Sequence, residues 1–132
     1  MADTLQQAFD DLARAQVRLA DAQAELSKDK SALDGYKKTE TALKNLISSL
    51  EAEIKRLRGI LAGHDLDDEE RSRLLRELAA LEKRLSNAQD KLGDTQTEIA
   101  VLNAIIPLDV TELTAAATAF IDALAEVMRH LP

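Results

Sequence analysis

Every seventh residue from Leu5 falls on one line: Leu5, Leu12, Leu19, Leu26, Leu33, Glu40, Ile47, Ile54 and Leu61. Three residues further on in each heptad lies a second line: Ala8, Ala15, Ala22, Asp29, Tyr36, Leu43, Leu50 and Leu57. Apolar residues alternating at three and four over about 60 residues define one coiled-coil register. The spacing predicts a helix over about 3–62, roughly 90 Å long at about 1.5 Å per residue. A second register carries Leu78, Leu85, Leu92, Ile99 and Ile106 on one line, with Leu74, Leu81, Ala88, Thr95 and Leu102 on the other. It predicts a second helix over about 67–106. The fold class is all-α.

Between the registers stands a loop over 63–66. Gly63 suits the left-handed residue that ends a helix. Asp67 and Glu70 have the spacing of a capping box, with Leu66 before them placed for a hydrophobic staple. So short a loop joins antiparallel neighbours, so the expectation is a long coiled-coil hairpin. Folding at residue 64 sets Ile54 opposite Leu74, Leu50 opposite Leu78 and Leu43 opposite Leu85. In that register Asp29 meets Ile99, and Gly35 and Gly93 come to one level. The paired glycines read as drift in a long helix or as a flexible waist, and Asp34-Gly35 also reads as a turn splitting helix one.

Pro107 lacks a donor and constrains the residue before it, so the second helix is expected to end there. Asp109 and Glu112 then form another capping-box pattern, opening a third helix over about 110–131. Its expected apolar face is Val110, Leu113, Ala117, Phe120, Leu124, Val127 and Leu131. The third helix either continues past a kink along the start of helix one, the favoured arrangement, or folds back on the hairpin. The whole, 1–132, is expected to be one elongated helical domain. The segment 99–107 is apolar nearly all round, and a helix of that kind is normally covered. The expected oligomer interface is Ala13, Val17, Ala20, Ala24, Val101, Ile105, Leu113, Phe120 and Leu124. A homodimer is the simplest partner, with another protein as the alternative.

Composition narrows the function classes. Leu and Ala occur 22 times each, Trp and Cys are absent, and only three residues are aromatic. Without cysteine there is no disulfide, thiolate zinc site or Cys nucleophile, and a reducing compartment fits. The N-terminus carries no basic and apolar signal pattern, so the expected location is cytoplasmic. No run of about 18 apolar residues is read, so no membrane span is expected. Net charge is −7, and residues 107–132 hold four acids against Arg129 alone. That balance argues against nucleic acid and against attraction to anionic lipid.

The acidic stretch "GHDLDDEER" is the first candidate site, with His64, Asp65, Asp67, Asp68, Glu69 and Glu70 as a possible partner-binding tip. Its spacing begins like a calcium loop, but Glu70 stands where Gly is needed and Arg76 where the bidentate Glu belongs. A capped helix start favoured by the dipole is the main reading. Asp122, Glu126 and His130 share a face at four-residue spacing, but the Glu-x-x-His pairs of a diiron bundle are missing. They read as a solvated face with a Glu126–His130 pair. Ser27 and Lys30 spell S-x-x-K without further partners. No Gly-rich phosphate loop, Ser-His-Asp set or paired carboxylates are read. The expectation is therefore no enzyme, no metal and no cofactor.

Three functions fit. The first is an oligomeric coiled-coil adaptor, scaffold or helical chaperone. The second is a regulator that inserts its acidic tip into a basic cavity of a larger machine. In outline the hairpin with an acidic tip is similar to bacterial transcript-cleavage factors, which reach into RNA polymerase and hold a metal, though none of that family's motifs is matched. The third is a lipid- or granule-surface coat. The Ala-rich, Cys-free, aromatic-poor helices resemble phasins in composition, but heptads this strict suit a protein seam better and Trp anchors are missing.

Overall fold

Two helices account for almost the whole chain: α1 spans Ala2–Leu61 and α2 spans Asp68–His130. The computed structural model describes residues 2–63 and 65–132, with side chains from Thr4 onward. Both heptad registers are buried as the spacing predicts. On α1 the second line is buried at every position except Tyr36, which is half-buried. The first line is half-buried throughout, apart from the buried Ile54. On α2, Leu74, Ala88, Thr95 and Leu102 are buried, and Leu78, Leu81, Leu85, Leu92, Ile99 and Ile106 are half-buried. Full burial of a Leu stabilises by about 1.5–3 kcal/mol. These half-buried ones contribute a fraction each, so stability is spread along the seam.

The third helix is not separate. α2 runs through Pro107 without a break, so Pro107 does not end it. The reason lies in the register, which continues across the proline. Leu102, Asp109, Ala116, Ala123 and His130 extend one line, and Ile106, Leu113, Phe120 and Val127 extend the other, all buried or half-buried. Pro107 sits on the exposed side, as does Asn103, whose carbonyl the proline leaves without a donor. Water can therefore reach that carbonyl, and the seam holds the helix on both sides of the lesion. The expected face of the third helix is corrected accordingly: Val110, Leu124 and Leu131 are exposed, and Ala116 is buried in the line instead.

α1 is likewise unbroken at Asp34-Gly35, so no turn splits it. A threonine follows four residues after each of these three helix breakers. The hydroxyls of Thr39, Thr97 and Thr111 donate to the carbonyls of Gly35, Gly93 and Pro107 at 3.0–3.1 Å.

The chain divides into two compact units, Met1–Asp34 with Ala100–Pro132, and Gly35–Ile99. In the second unit the segments of α1 and α2 form a helical hairpin. Arg58 there donates to Glu82 at 2.9 Å. With Ile54 opposite Leu74, those two residues would be about 18 Å apart along the axis at about 1.5 Å per residue. The register is therefore one heptad away from the expected one. Ile54 comes level with Leu81, and Glu51, Ile54, Arg58, Glu82 and Leu85 line one groove. Gly35 and Gly93 are no longer level, so the paired-glycine waist is not formed. In the first unit Arg18 and Glu112 pair at 2.8 Å, and Asp29 meets Asp109, ten residues beyond the Ile99 expected opposite it and three beyond Ile106, which is the same shifted register.

The loop departs from expectation in one feature. Gly63 does not adopt a positive φ. Instead its N–H donates to the Ile60 carbonyl at 3.0 Å, a tight final turn. Arg71 from the first turns of α2 then donates to the carbonyls of Leu61, at 3.1 Å, and Gly63, at 3.3 Å. A helix end leaves carbonyls without intrahelical partners, and a guanidinium with its forked donors can hold two of them. With Arg71 as the cap, no left-handed glycine is required.

Candidate functional site

Asp67 caps α2: its Oδ1 accepts from the Glu70 N–H at 2.7 Å. The Glu70 carboxylate turns instead toward Arg73, 4.0 Å away, and Arg73 also lies 3.8 Å from Glu77. The position where a staple partner for half-buried Leu66 would stand is Arg71. Asp65, Asp67, Asp68, Glu69 and Glu70 are all exposed, and His64 lies outside the described residues. Asp67, Glu69, Glu70, Arg73 and Arg76 line one open groove in which both signs of charge alternate. The acids at this loop therefore serve the helix start and its local ion pairs. No group of three or more His, Asp or Glu side chains converges on a metal position among the described residues.

Paired carboxylates, which the sequence reading did not find, do occur in the first unit. Asp29 is only 8 % exposed, although it occupies a seam position. The side chain of Asp109, on the facing segment of α2, hydrogen-bonds to it. Asp109 is thus inside the helix and half-buried, not a cap, and Glu112 binds Arg18 instead of completing a box. One oxygen of each carboxylate, Oδ2 of Asp29 and Oδ2 of Asp109, is buried without a partner. Two carboxylates can hydrogen-bond only if one holds a proton. The hydrogen bond to Asp29, burial, and the charges of Asp29 and Glu25 push Asp109 up to about 6. The arrangement can hold one proton between two helices. Leu26, Leu33, Leu102 and Ile106 continue the seam on both sides.

Near the end of α2, Glu126 and His130 pair at 3.0 Å, as the spacing predicts, and Arg129 joins Glu126 at 3.2 Å. Asp122 is exposed. His130 and Glu126 line a groove with Thr4, Gln7, Ala8 and Asp11. Ser27 and Lys30 are exposed on α1.

The expected oligomer residues divide among different surfaces. Leu113 and Phe120 are half-buried on the seam lines against α1, so they do not form an outward face. Ala13, Val17, Ala20, Ala24, Val101 and Leu124 are exposed, and Ile105 is half-buried. Val17 lines a groove with Arg14, Arg18, Asp21 and Glu112, on the charged side of the unit. Larger exposed apolar side chains that the expected set omitted are Phe9, Leu108, Val110, Ile121, Met128 and Leu131. Apart from Phe9 on α1, they could be found by extending the α2 heptads past Pro107 and reading the positions left outside the seam. α2 also contains an 18-residue window of mean hydropathy 1.5, long and apolar enough to cross a membrane by length and composition. Only 11 % of that window is buried.

No family model matches the chain, and neither a curated protein nor a solved structure matches it.

Proposed function

We propose that this chain is a non-enzymatic interaction protein: a coiled-coil hairpin that serves as a scaffold or adaptor and works as a homo-oligomer. One observation carries the reading. The six most exposed large apolar side chains, Val17, Leu75, Leu108, Ile121, Met128 and Leu131, are 50–68 % exposed, and all but Leu75 belong to the first unit. Exposed apolar area gathered in one part of a chain marks an interaction surface, and scattered single residues do not. The uninterrupted seam supports the coiled-coil description. Gel filtration with light scattering tests the proposal. A mass of at least two chains supports it, and a monomer that captures no second copy at high concentration contradicts it.

A second reading is contact with a lipid surface, which the apolar window of α2 favours. Flotation with vesicles of neutral lipid tests it. Co-migration of the chain with the vesicles supports lipid contact, and a chain left in the dense fraction excludes it.

A further inference from the structure

The ion pairs of the first unit give it two different edges. Arg18 binds Glu112 on one edge, and Asp11 lines a groove with Glu126 on the same edge. Lettering the heptad with the seam as a and d makes these the g positions of both helices, and c lies beside them. The opposite edge is then formed by e and b of both helices. Between Gln6 and Ser27 on α1, and between Ala100 and Leu131 on α2, no e or b position holds Asp, Glu, Lys or Arg. The g and c positions of the same stretches hold Asp11, Arg14, Arg18, Asp21, Glu112 and Glu126, among others. In the second unit charges do occur at e and b positions, among them Lys37, Lys44, Lys55, Arg58 and Glu82.

The charge-free face is also apolar. Phe9, Val110, Ile121, Leu124, Met128 and Leu131 stand on it, each 40–64 % exposed. On the same edge lie Gln16, Gln23 and Asn103, all exposed.

We infer that the charge-free e and b edge of the first unit is the surface through which a second copy of this chain binds, helix pair against helix pair about a two-fold axis. This rests on the proposed self-association and names its surface. Three observations select a second copy. A copy brings another net charge of −7, so two copies approach best through a surface without like charges. Each side-chain amide both donates and accepts, so Gln16, Gln23 and Asn103 can be satisfied by symmetry-related amides. The face also has sufficient area. Some 22 residues at about 1.5 Å each give roughly 33 Å, and two helices each about 10 Å across give roughly 650 Å² per copy. The total, roughly 1,300 Å², lies within the range of about 1,200–2,000 Å² for specific interfaces. A lipid surface fits less well, because no Lys or Arg borders this edge within those stretches and Trp is absent.

Charge insertion at exposed positions tests the inference. Ile121→Glu and Leu124→Glu place a carboxylate on the edge. Leu108→Glu and Val17→Glu place one at similarly exposed apolar residues outside it. Sedimentation of each full-length variant gives the mass, and circular dichroism confirms that each stays helical. The expected result is a dimeric wild type, dimeric Leu108→Glu and Val17→Glu, and a dissociation constant raised at least about 100-fold by either edge variant. A dimer that survives both edge variants, or that the Leu108 or Val17 variant also breaks, overturns the inference and leaves self-association standing. A wild type that is monomeric at every concentration removes both.

Discussion

Asp29 and Asp109 show how one residue pair can set a solution property of this chain. The Asp109 carboxyl is raised to about 6, first by its hydrogen bond with Asp29 and then by burial and the charges of Asp29 and Glu25. In an unfolded chain it would titrate near 3.8. The folded state therefore binds the proton more tightly. The stabilisation is fully present below about pH 4 and is lost as pH rises through about 6. Asp11, Glu53 and Glu112 run the other way. Arg14, Arg56 and Arg18 hold them below the usual carboxylate range, and that stabilisation is lost on acidification. Melting temperature should consequently rise as pH falls from 7 to 5, then decline at lower pH. Asp109→Asn should raise the melting temperature at pH 7 and flatten the slope between about pH 4 and 6. Equal slopes for wild type and variant across that window would exclude the shared proton. The heptad spacing identified Asp29 as a seam residue but not its partner, because the assumed register set it opposite Ile99.

At the scale of the element, the loop and the helix breakers carry the testable energetics. Arg71→Ala removes two hydrogen bonds from a charged donor to the end of α1. It should cost about 1.5–3 kcal/mol in urea unfolding, reduced by exposure at the rim. Asp67→Ala should cost about 1 kcal/mol through the lost cap. An unchanged midpoint in either variant would remove the role assigned to it. Gly35 and Gly93 lie in helix interiors with open space where a Cβ would stand. Changing either to Ala should therefore stabilise by up to about 1 kcal/mol, and destabilisation would show that the glycine serves a bend instead. Pro107→Ala should stabilise by about 1–3 kcal/mol, since a helix-interior proline costs about 3 kcal/mol where nothing compensates.

These elements also mark what the sequence made legible. Every seam position of α1 and α2 up to Ile106 followed from the spacing of three and four, because burial repeats with that period. The register between the helices did not follow, because a slip of one heptad leaves every seam residue facing another seam residue. The Arg58–Glu82 pair and the Asp29–Asp109 contact distinguish the two. Pro107 was read by its local cost, and that cost proved smaller than the continuity of the seam on either side. Arg71 was invisible because a cap from another helix has no spacing to recognise. The outer face past Pro107 was misassigned for the same reason as the third helix: the heptads were restarted at Asp109 instead of continued.

For the whole molecule, the account holds that this is an interaction protein whose first unit presents an apolar, charge-free face to a second copy. Sedimentation equilibrium across a wide concentration range, at pH 7 and moderate salt, tests that most directly. The account predicts a mass of two 14.5 kDa chains that shifts toward one only on strong dilution. It further predicts little response to salt, because the proposed interface holds no charges to screen. A single 14.5 kDa species at every concentration would contradict it.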